Sequence, residues 1–235
     1  MNSIMLELKD IYAGYGKRWI VEKISFSAQP GTVTSIVGRN GSGKSTLLRS
    51  IFGLIPKRQG DILLNGTRSS TPPHSMRNAG IIYQPQRQPI FAAQDVLSNL
   101  ELSAGSCTKT ERNVRLATVL SSFPFLKTRL RQNSGSLSGG ERQQLALATV
   151  FMAKPKLLLV DEPLAGLSPA LKDSVLEKLT MLATTYNCCV LLVEHDVKKA
   201  ISIANEVVGL RLGQIVVYCR ADEFDLSAQK RVFVE

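Results

Sequence analysis

Apolar residues near the start of the chain alternate with polar ones or gather in short β-branched runs. The segments Ile4 to Leu8, Ile20 to Ser27 and Thr32 to Val37 show this pattern, and Gln29-Pro30-Gly31 supplies a turn. A period of two residues places successive side chains on opposite faces of a strand, so three strands are predicted here. The third strand runs directly into a glycine-rich segment that begins at Gly38.

The pattern then changes to a helical period. A helix is predicted over 44–54, because its apolar residues recur every three or four positions. They are Leu47, Leu48, Ile51 and Leu54. A hairpin is predicted at 60–66, where Asn65-Gly66 is a strong signal for a tight turn. A short strand follows at 81–83, and it ends at a Gln-Pro pair.

From 94 onward the strand signals vanish, and apolar residues recur at helical spacing until about 131. This predicts a helical insert between two halves of one core. Strand and helix patterns then alternate to the end of the chain. The predicted strands are 157–161, 188–194, 207–212 and 215–218, and the predicted helices are 169–184 and 197–204. The alternation predicts an α/β fold with a parallel sheet flanked by helices, a β-rich N-terminal part and a helical arm.

Length and composition favour a single domain over 1–235. The chain has 235 residues and is 44% hydrophobic, which is enough for one large core. We expect 1–93 and 134–235 to form this core and about 94–133 to form the helical subdomain. The apolar runs are too short to cross a bilayer, and 1–9 has no signal-peptide core. These features predict a cytoplasmic protein that would need a partner to stay at a membrane.

The formal net charge is +10, and much of it comes from one basic stretch in the predicted helical arm. Its residues are Lys109, Arg112, Arg115, Lys127, Arg129 and Arg131. A solvated helical surface, attraction to an anionic membrane face and contact with nucleic acid all remain open. Aromatic residues are not interleaved with the basic ones, which disfavours binding to single-stranded nucleic acid.

The four cysteines do not predict a metal site. They are Cys107, Cys188, Cys189 and Cys219, and no two of them form a CxxC pair. The two histidines, His74 and His195, stand apart from them in the sequence, so zinc-ligand spacing is missing. Cys188-Cys189 begins an apolar strand pattern, which favours buried packing over a redox role.

The glycine-rich segment at 38–46 fits the phosphate-binding loop pattern GxxxxGK[ST]. In that pattern, backbone N–H groups surround the phosphates and Lys44 reaches the β and γ groups. The Ser45 hydroxyl is placed to bind Mg²⁺. The predicted nucleotide-binding residues of the loop are Gly38, Asn40, Gly41, Ser42, Gly43, Lys44, Ser45 and Thr46. A strand before the loop and a helix after it supply the context that phosphate binding needs.

Two carboxylates end the predicted strand at 157–161. Asp161 is expected to hold Mg²⁺, directly or through water, and Glu162 is expected to polarise the attacking water. In α/β folds, ligands bind at the carboxyl ends of the strands, where these two acids stand. Adjacent acids at a strand end are also found in solvated loops. The phosphate-loop motif upstream favours the catalytic interpretation.

A second glycine-containing segment, Leu137-Ser138-Gly139-Gly140-Glu141, precedes a predicted helix. Ser138 is a good helix N-cap, and Gly139 and Gly140 allow an anion to approach the backbone closely. The segment has no lysine and no metal ligand of its own. We therefore interpret it as half of an anion site that another molecule completes.

These segments, in this order, resemble the ATP-binding subunit of an ABC transporter, from Tyr15 to about Gly213. The resemblance implies a P-loop NTPase of the ABC-ATPase fold with a RecA-like parallel-sheet core. It also implies ATP hydrolysis, with ATP and Mg²⁺ as cofactors. Gln84 matches the glutamine that reaches Mg²⁺ and the attacking water, and His195 matches the histidine that contacts the γ-phosphate. Tyr15 matches the aromatic residue that stacks on adenine, with Tyr12 and Trp19 as nearby alternatives.

The resemblance further implies partners. In ABC ATPases the segment that contains Ser138 contacts the γ-phosphate bound by the opposite subunit, so an ATP-dependent homodimer or heterodimer is expected. Integral membrane permease subunits are expected as well, with an extracytoplasmic substrate-binding protein if the system is an importer. The protein would then be peripheral on the cytoplasmic face of the membrane, and no nucleic-acid partner is expected.

Two residues depart from the family pattern, and two segments indicate a subfamily. Glu141 stands where the family often has Gln, and Ser168 replaces the acidic residue of the loop that communicates across the dimer. The segments Ala165-Gly166-Leu167-Ser168 and Gln86 to Phe91 resemble the ATPase subunits of branched-chain amino-acid and urea uptake systems.

A soluble ABC ATPase of the assembly or nucleic-acid-linked kind is the alternative. The chain lacks the long coiled coils and CxxC modules of the repair ATPases.

Overall fold

Two sheets carry the fold of this computed structural model, which describes residues 5–55, 57–69, 73–87 and 89–234. In chain order the strands are β1 (Leu6–Tyr15), β2 (Arg18–Ala28), β3 (Val33–Val37), β4 (Lys57–Leu64), β5 (Thr67–Arg68), β6 (Ile81–Gln84), β7 (Leu157–Asp161), β8 (Cys189–Val193), β9 (Glu206–Arg211) and β10 (Gln214–Arg220). The helices are α1 (Lys44–Ile51), α2 (Pro73–Met76), α3 (Val96–Ser103), α4 (Lys109–Ser122), α5 (Gly139–Ala153), α6 (Pro169–Tyr186), α7 (Val197–Ser202) and α8 (Leu226–Phe233). Short 3₁₀ helices lie at Pro124–Thr128, Ser134–Ser136 and Ala221–Glu223.

The two sheets differ in strand direction. A four-stranded antiparallel sheet has the order β2-β1-β4-β5, and a six-stranded sheet has the order β10-β9-β3-β8-β7-β6. In the larger sheet, β9, β3, β8, β7 and β6 are parallel, and β10 pairs antiparallel with β9 at the edge. Parallel neighbours bring the carboxyl ends of β3, β6, β7 and β8 to one edge of the sheet.

The central strands are buried on both faces, as expected for a parallel sheet covered on both sides. Leu158 and Val160 of β7 pack into an apolar cluster with α5 and α6. Leu157 and Leu159 of the same strand pack into a second cluster, with α1 and the antiparallel sheet. The strand end that carries Asp161 is therefore fixed between two packed layers.

The predicted α/β arrangement is confirmed, including the β-rich N-terminal part and the helical segment before α5. The elements that were not predicted include the second half of β1, the short helix α2 and the helix α8. Residue Ile4 of the first predicted strand and Gln88 lie outside the described residues. Cys188 and Cys189 are fully buried, which confirms the packing interpretation, and burial raises the pKa of the Cys188 thiol to about 12.

The basic stretch is divided among different contacts. Arg115 donates to the backbone carbonyls of Ala104 and Met152, which ties α4 to the ends of α3 and α5. Arg129 forms an ion pair with Glu141 at 2.9 Å. Part of the positive charge is thus used in contacts inside the arm and at the start of α5.

Candidate functional site

The phosphate loop lies between the buried strand β3 and the first turn of α1. Gly43, the N-cap of α1, has φ 103°, a left-handed conformation that suits glycine. A Cβ at this position would lie 2.6 Å from a methyl carbon of Val21, so glycine is also required by space. The loop therefore leaves the N–H groups at the start of α1 facing the loop interior, where an anion is stabilised.

Lys44 lies inside this loop with only 4% of its surface exposed. Its Nζ donates to the carbonyl oxygens of Gly38 at 2.8 Å and Arg39 at 3.1 Å. Burial lowers the pKa of Lys44, and the nearby carboxylates of Glu162 and Asp161 act in the opposite direction. The ammonium group is thus held in place by the loop backbone before any phosphate binds.

Asp161 ends β7 with its carboxylate in contact with two hydroxyl donors. Ser45 Oγ donates to Oδ1 at 2.9 Å, and the Tyr83 hydroxyl donates to Oδ2 at 3.2 Å. Burial raises the pKa of Asp161, and the hydrogen bonds from Ser45 and Tyr83 oppose that shift. The structure thus brings together two of the three residues predicted to reach Mg²⁺, Ser45 and Asp161.

Glu162 follows in an unusual backbone conformation, with φ 50° in the left-handed region. Such a conformation costs a non-glycine residue on the order of 1 kcal/mol or more. Its N–H donates to the carbonyl of Val193 at 2.9 Å, which ties it to β8. The side chain contacts His195 Nε2 at 2.6 Å through Oε1 and accepts a hydrogen bond from Gln86 Nε2 through Oε2.

These groups surround one open cavity of about 370 Å³. It is lined by Ile20, Asn40, Gly41, Gly43, Lys44, Ser45, Thr46, Gln86, Glu162 and His195. The phosphate-loop backbone and Lys44 supply positive charge, and Glu162 with His195 supplies a base and a polar partner. A site of this composition can hold a polyphosphate and orient a water molecule against it.

The structure places Gln86, and not the predicted Gln84, beside Glu162 in the cavity. The side chain of Gln84 is 4% exposed, and its amide atoms have no hydrogen-bond partner in the described part of the chain. Gln84 follows Tyr83 in β6, and neighbouring strand residues face opposite sides of the sheet. Since Tyr83 faces Asp161, Gln84 points to the other face, and the exposed Gln86 reaches the cavity instead.

Glu194 is a buried residue of the site that sequence reasoning did not single out. It is 3% exposed, and its carboxylate accepts from the backbone N–H groups of Leu164 at 2.7 Å and His195 at 3.0 Å. Burial raises its pKa, and these backbone donors oppose the shift. Glu194 therefore connects the loop after Glu162 to the start of the segment that carries His195. A polar residue directly after a fully apolar strand was the available signal.

The predicted second anion segment lies at the N-terminus of α5. Ser138 Oγ accepts from the Glu141 N–H, and Glu141 Oε2 accepts from the Ser138 N–H at 2.9 Å, which forms a capping box. Hydrogen bonding to the Ser138 backbone lowers the pKa of Glu141. Ser138, Gly139 and Gly140 are not among the residues that line the 370 Å³ cavity. Within one chain, the structure does not bring the two anion segments into one cavity.

Tyr15 ends β1 with 51% of its side chain exposed, beside the guanidinium of Arg49. Its ring is therefore available for stacking at the surface. Tyr12 and Trp19, the neighbouring aromatic residues, pack edge to face against each other with ring centroids 5.8 Å apart. The exposed aromatic at this corner is thus the one that the sequence predicted.

The donors at Ser45 and Asp161 fit Mg²⁺. Both are hard oxygen ligands, they lie within 2.9 Å of each other, and Mg²⁺ commonly takes few protein ligands together with phosphate oxygens and waters. Elsewhere in the described ranges, no group of three or more His, Cys, Asp or Glu residues is arranged to hold a metal ion. Those ranges also contain no helix with the length and apolar character needed to span a bilayer.

Comparison with known proteins gives a family match and full-length relatives. A family model described as ABC transporter matches residues 21–165. The probable branched-chain amino acid transport ATP-binding protein LivF of Archaeoglobus fulgidus is 37% identical over 220 residues, which cover 93% of each chain. The high-affinity branched-chain amino acid transport ATP-binding protein BraG of Pseudomonas aeruginosa is 33% identical over 215 residues, covering 91% of this chain and 92% of that one.

Solved structures show the same architecture. An ATP-binding subunit of an ABC transporter matches with a TM-score of 0.86 at 28% identity, over 97% of this chain and 94% of that chain. The ADP conformation of an ATP-binding cassette of an ABC transporter matches with a TM-score of 0.85 at 25% identity, over 97% of both chains. The similarity thus extends over both sheets and the helical arm.

Proposed function

The chain belongs to the ABC transporter family as an ATP-binding and ATP-hydrolysing subunit, and on this premise we propose that two such subunits close on MgATP to drive a separate membrane permease. The contact of Glu162 with His195 and Gln86, beside Lys44, is the observation that carries this proposal. It provides a carboxylate to orient water at the end of a phosphate-binding loop.

Each residue has a defined part in the proposed reaction. Lys44 and the loop backbone from Gly38 to Thr46 bind the phosphates, while Tyr15 stacks on adenine. Glu162 orients the attacking water, and His195 and Gln86 hold the Glu162 carboxylate and face the γ-phosphate. Ser45 and Asp161 hold Mg²⁺, which neutralises charge on the β and γ phosphates when bound.

The second anion segment completes the site in trans. Ser138, Gly139 and Gly140 stand at the start of a 15-residue helix, with no lysine beside them. In the proposed dimer they contact the γ-phosphate held by the partner subunit. ATP then bridges two chains, and hydrolysis removes the bridge. Within each chain, we assign 1–93 and 134–235 to the catalytic core and about 94–133 to a helical subdomain.

Replacement of Glu162 with Gln tests this function. The change keeps the size of the side chain but removes the charge that orients water, and it relieves repulsion from the triphosphate. The variant should bind ATP, hydrolyse it at least about a hundredfold more slowly, and elute as a dimer with ATP and as a monomer with ADP. Glu177→Gln, the same change at an exposed position of α6, should behave like wild type. A Glu162→Gln protein that stays monomeric at saturating ATP would contradict the self-pairing form of the proposal.

Amino-acid uptake is the proposed task of the complete transporter. Two of the relatives above carry names of branched-chain amino acid transport proteins, and both align over at least 91% of this chain. Purification of the tagged chain from detergent-solubilised membranes should recover integral permease subunits. After reconstitution with an extracytoplasmic binding protein, leucine should stimulate ATP hydrolysis. Recovery of a permease whose ATPase cycle responds to polyamine or ferric iron, and not to leucine, would refute this assignment.

A further inference from the structure

Tyr83 contacts the site but has no part in the function proposed above. It stands one residue before the end of β6, and its hydroxyl donates to Asp161 Oδ2 at 3.2 Å. The carboxylate that it contacts is 2% exposed. Because Ser45 occupies the other oxygen, both oxygens of Asp161 have a side-chain partner.

Arg49 of α1 and Phe52, the residue directly after this helix, hold Tyr83 in this position. Arg49 Nε donates to the Tyr83 hydroxyl oxygen at 3.3 Å. Phe52, three residues further along the chain, packs on the Tyr83 ring with centroids 5.8 Å apart. Since Arg49 uses a lone pair of the phenol, the phenolic proton is left to point at Asp161. The donors are therefore ordered in one direction, from Arg49 through Tyr83 to the carboxylate.

We propose that Tyr83, held by Arg49, is a positioning residue that orients the Asp161 carboxylate toward the metal. The inference rests on the proposed role of Asp161 as a Mg²⁺ ligand. The terminal torsion of an aspartate has a broad energy profile, so a carboxylate with one partner can rotate. The hydrogen bond to Oδ2 fixes this rotation and leaves Oδ1 beside Ser45. Groups that hold a metal ligand from outside commonly change metal affinity by about tenfold when they are removed.

The test compares nucleotide affinity with and without Mg²⁺. For each variant, a fluorescent ATP analogue is titrated in excess Mg²⁺ and in excess EDTA. The dissociation constant in EDTA divided by the dissociation constant in Mg²⁺ gives the advantage that the metal confers. Tyr83→Phe keeps the ring that packs on Phe52 but removes the hydroxyl. We expect it to reduce this ratio by about tenfold, with the affinity in EDTA unchanged.

Two further variants separate positioning from general damage. Tyr218→Phe also removes a phenolic hydroxyl, which lies 3.1 Å from the Ser27 carbonyl oxygen and 3.2 Å from a Glu206 carboxylate oxygen. Tyr218 does not line the cavity, so this variant should leave the ratio unchanged. Arg49→Met acts at an exposed position and should reduce the ratio less than Tyr83→Phe. The double variant should match Tyr83→Phe alone, because Arg49 acts through Tyr83.

If Tyr83→Phe leaves the Mg²⁺ advantage unchanged, Asp161→Asn shows whether the positioning role or the assignment of Asp161 as metal ligand is wrong. If Asp161→Asn loses the Mg²⁺ advantage and Tyr83→Phe keeps it, the positioning role is refuted while the proposed function stands. If Asp161→Asn keeps the advantage, Asp161 is not the metal ligand, and both the assignment and the inference fail. Loss of the advantage in both variants, but not in Tyr218→Phe, supports the inference.

Discussion

Buried ionisable residues determine the chemistry of this site, and each one is held by a different arrangement of neighbours. The ammonium of Lys44 is bound by backbone carbonyls and lies near two carboxylates. Asp161 has two hydroxyl donors, and Glu194 has two backbone N–H donors. In each case burial disfavours the charged form, while polar contacts compensate for part of that cost.

Replacement of Lys44 with Ala should abolish tight nucleotide binding. The change removes the one buried ammonium that the phosphate loop holds in the described part of the chain, and with it the charge that offsets the β and γ phosphates. We expect ATP affinity to fall by at least about a hundredfold, as for loss of a buried charge–charge contact. Equilibrium titration with labelled ATP measures the effect. A near wild-type rate of hydrolysis would show that this loop is not the catalytic one.

Gln84 and Gln86 offer a matched pair of substitutions. Gln86→Leu removes the donor to Glu162, so the rate of hydrolysis should fall by at least about tenfold. Gln84→Leu replaces a buried amide that lacks a partner among the described residues, so stability should stay equal or rise and activity should stay within about twofold. Steady-state ATPase assays and urea unfolding measure the two effects. The reverse order of activity losses would restore Gln84 to the site.

Glu194 should make stability depend on pH in a defined direction. Burial raises its pKa above the usual 4.5, so the folded state binds this proton more readily than the unfolded state does. Its contribution to the free energy of unfolding is therefore full below pH 4.5 and is lost as the pH rises through the raised pKa. Glu194→Gln does not titrate, so wild type should lose stability relative to the variant as the pH rises above 4.5. Urea unfolding at several pH values measures this, and a constant difference would contradict it.

At the scale of elements, α4 and α5 begin with the same capping arrangement. α4 starts with a capping box of Thr108 and Glu111, and α5 starts with one of Ser138 and Glu141. The box on α5 also fixes the backbone of the segment proposed to contact the partner's γ-phosphate. If the segment contacts the partner's γ-phosphate as proposed, the capping box of α5 has a role in pairing beyond the stability that it gives to any helix.

The two capping boxes provide a prediction with its own control. Glu141→Ala and Glu111→Ala should both lower the free energy of unfolding, because each leaves an N-cap N–H without its side-chain acceptor. In the Glu162→Gln background, only Glu141→Ala should weaken ATP-driven dimerisation. Dimer dissociation constants from sedimentation would measure this difference. Equal dimerisation in the two variants would show that the order of the Ser138 segment does not matter for pairing.

The elements with a strong repeat were predictable from sequence, and the irregular ones were not. β7 was predicted with its observed bounds, Leu157–Asp161, because five buried residues in a row between turn signals leave few alternatives. The second half of β1 was missed because register shifts after Leu8, near the positive φ of Asp10, break the alternation. α8 was missed because only two of its eight residues are buried, so its apolar repeat is weak.

The residues of the site were likewise predictable only where a local sequence pattern marks them. The phosphate loop and the acid pair are contiguous in sequence, so their residues could be predicted individually. Whether Gln84 or Gln86 reaches the site depends on where β6 ends, because side chains alternate between the two faces of the sheet only within the strand. The role of Tyr83 could not be predicted, because its partner Asp161 lies 78 residues away. For Glu194, the apolar strand before it was a signal of burial, but its partner Leu164, 30 residues away, could not be predicted.

On the scale of the whole molecule, the site lies at one edge of the parallel sheet. The loop after β3 supplies Lys44, β7 leads to Glu162, and β8 leads to His195. Ser138 stands at the start of another helix, outside the cavity that these residues line. A chain that presents a phosphate loop in one place and an anion-binding helix start in another can pair head to tail, so that each chain completes the partner's site.

A substitution at Ser138 tests this arrangement without touching the phosphate loop. Ser138→Arg places a long side chain at an exposed helix start, where it would fill the space that the partner's γ-phosphate needs in the proposed dimer. In the Glu162→Gln background it should abolish the ATP-dependent dimer, while affinity for ATP at the loop of the monomer stays within about threefold, the usual range for a distant change. Ser121→Arg, at an exposed position of α4, adds the same charge and should leave the dimer intact. Size-exclusion chromatography with light scattering would distinguish the two variants. Persistence of the dimer in Ser138→Arg would mean that the chains pair through another surface, because no head-to-tail closure on ATP could accommodate an arginine there.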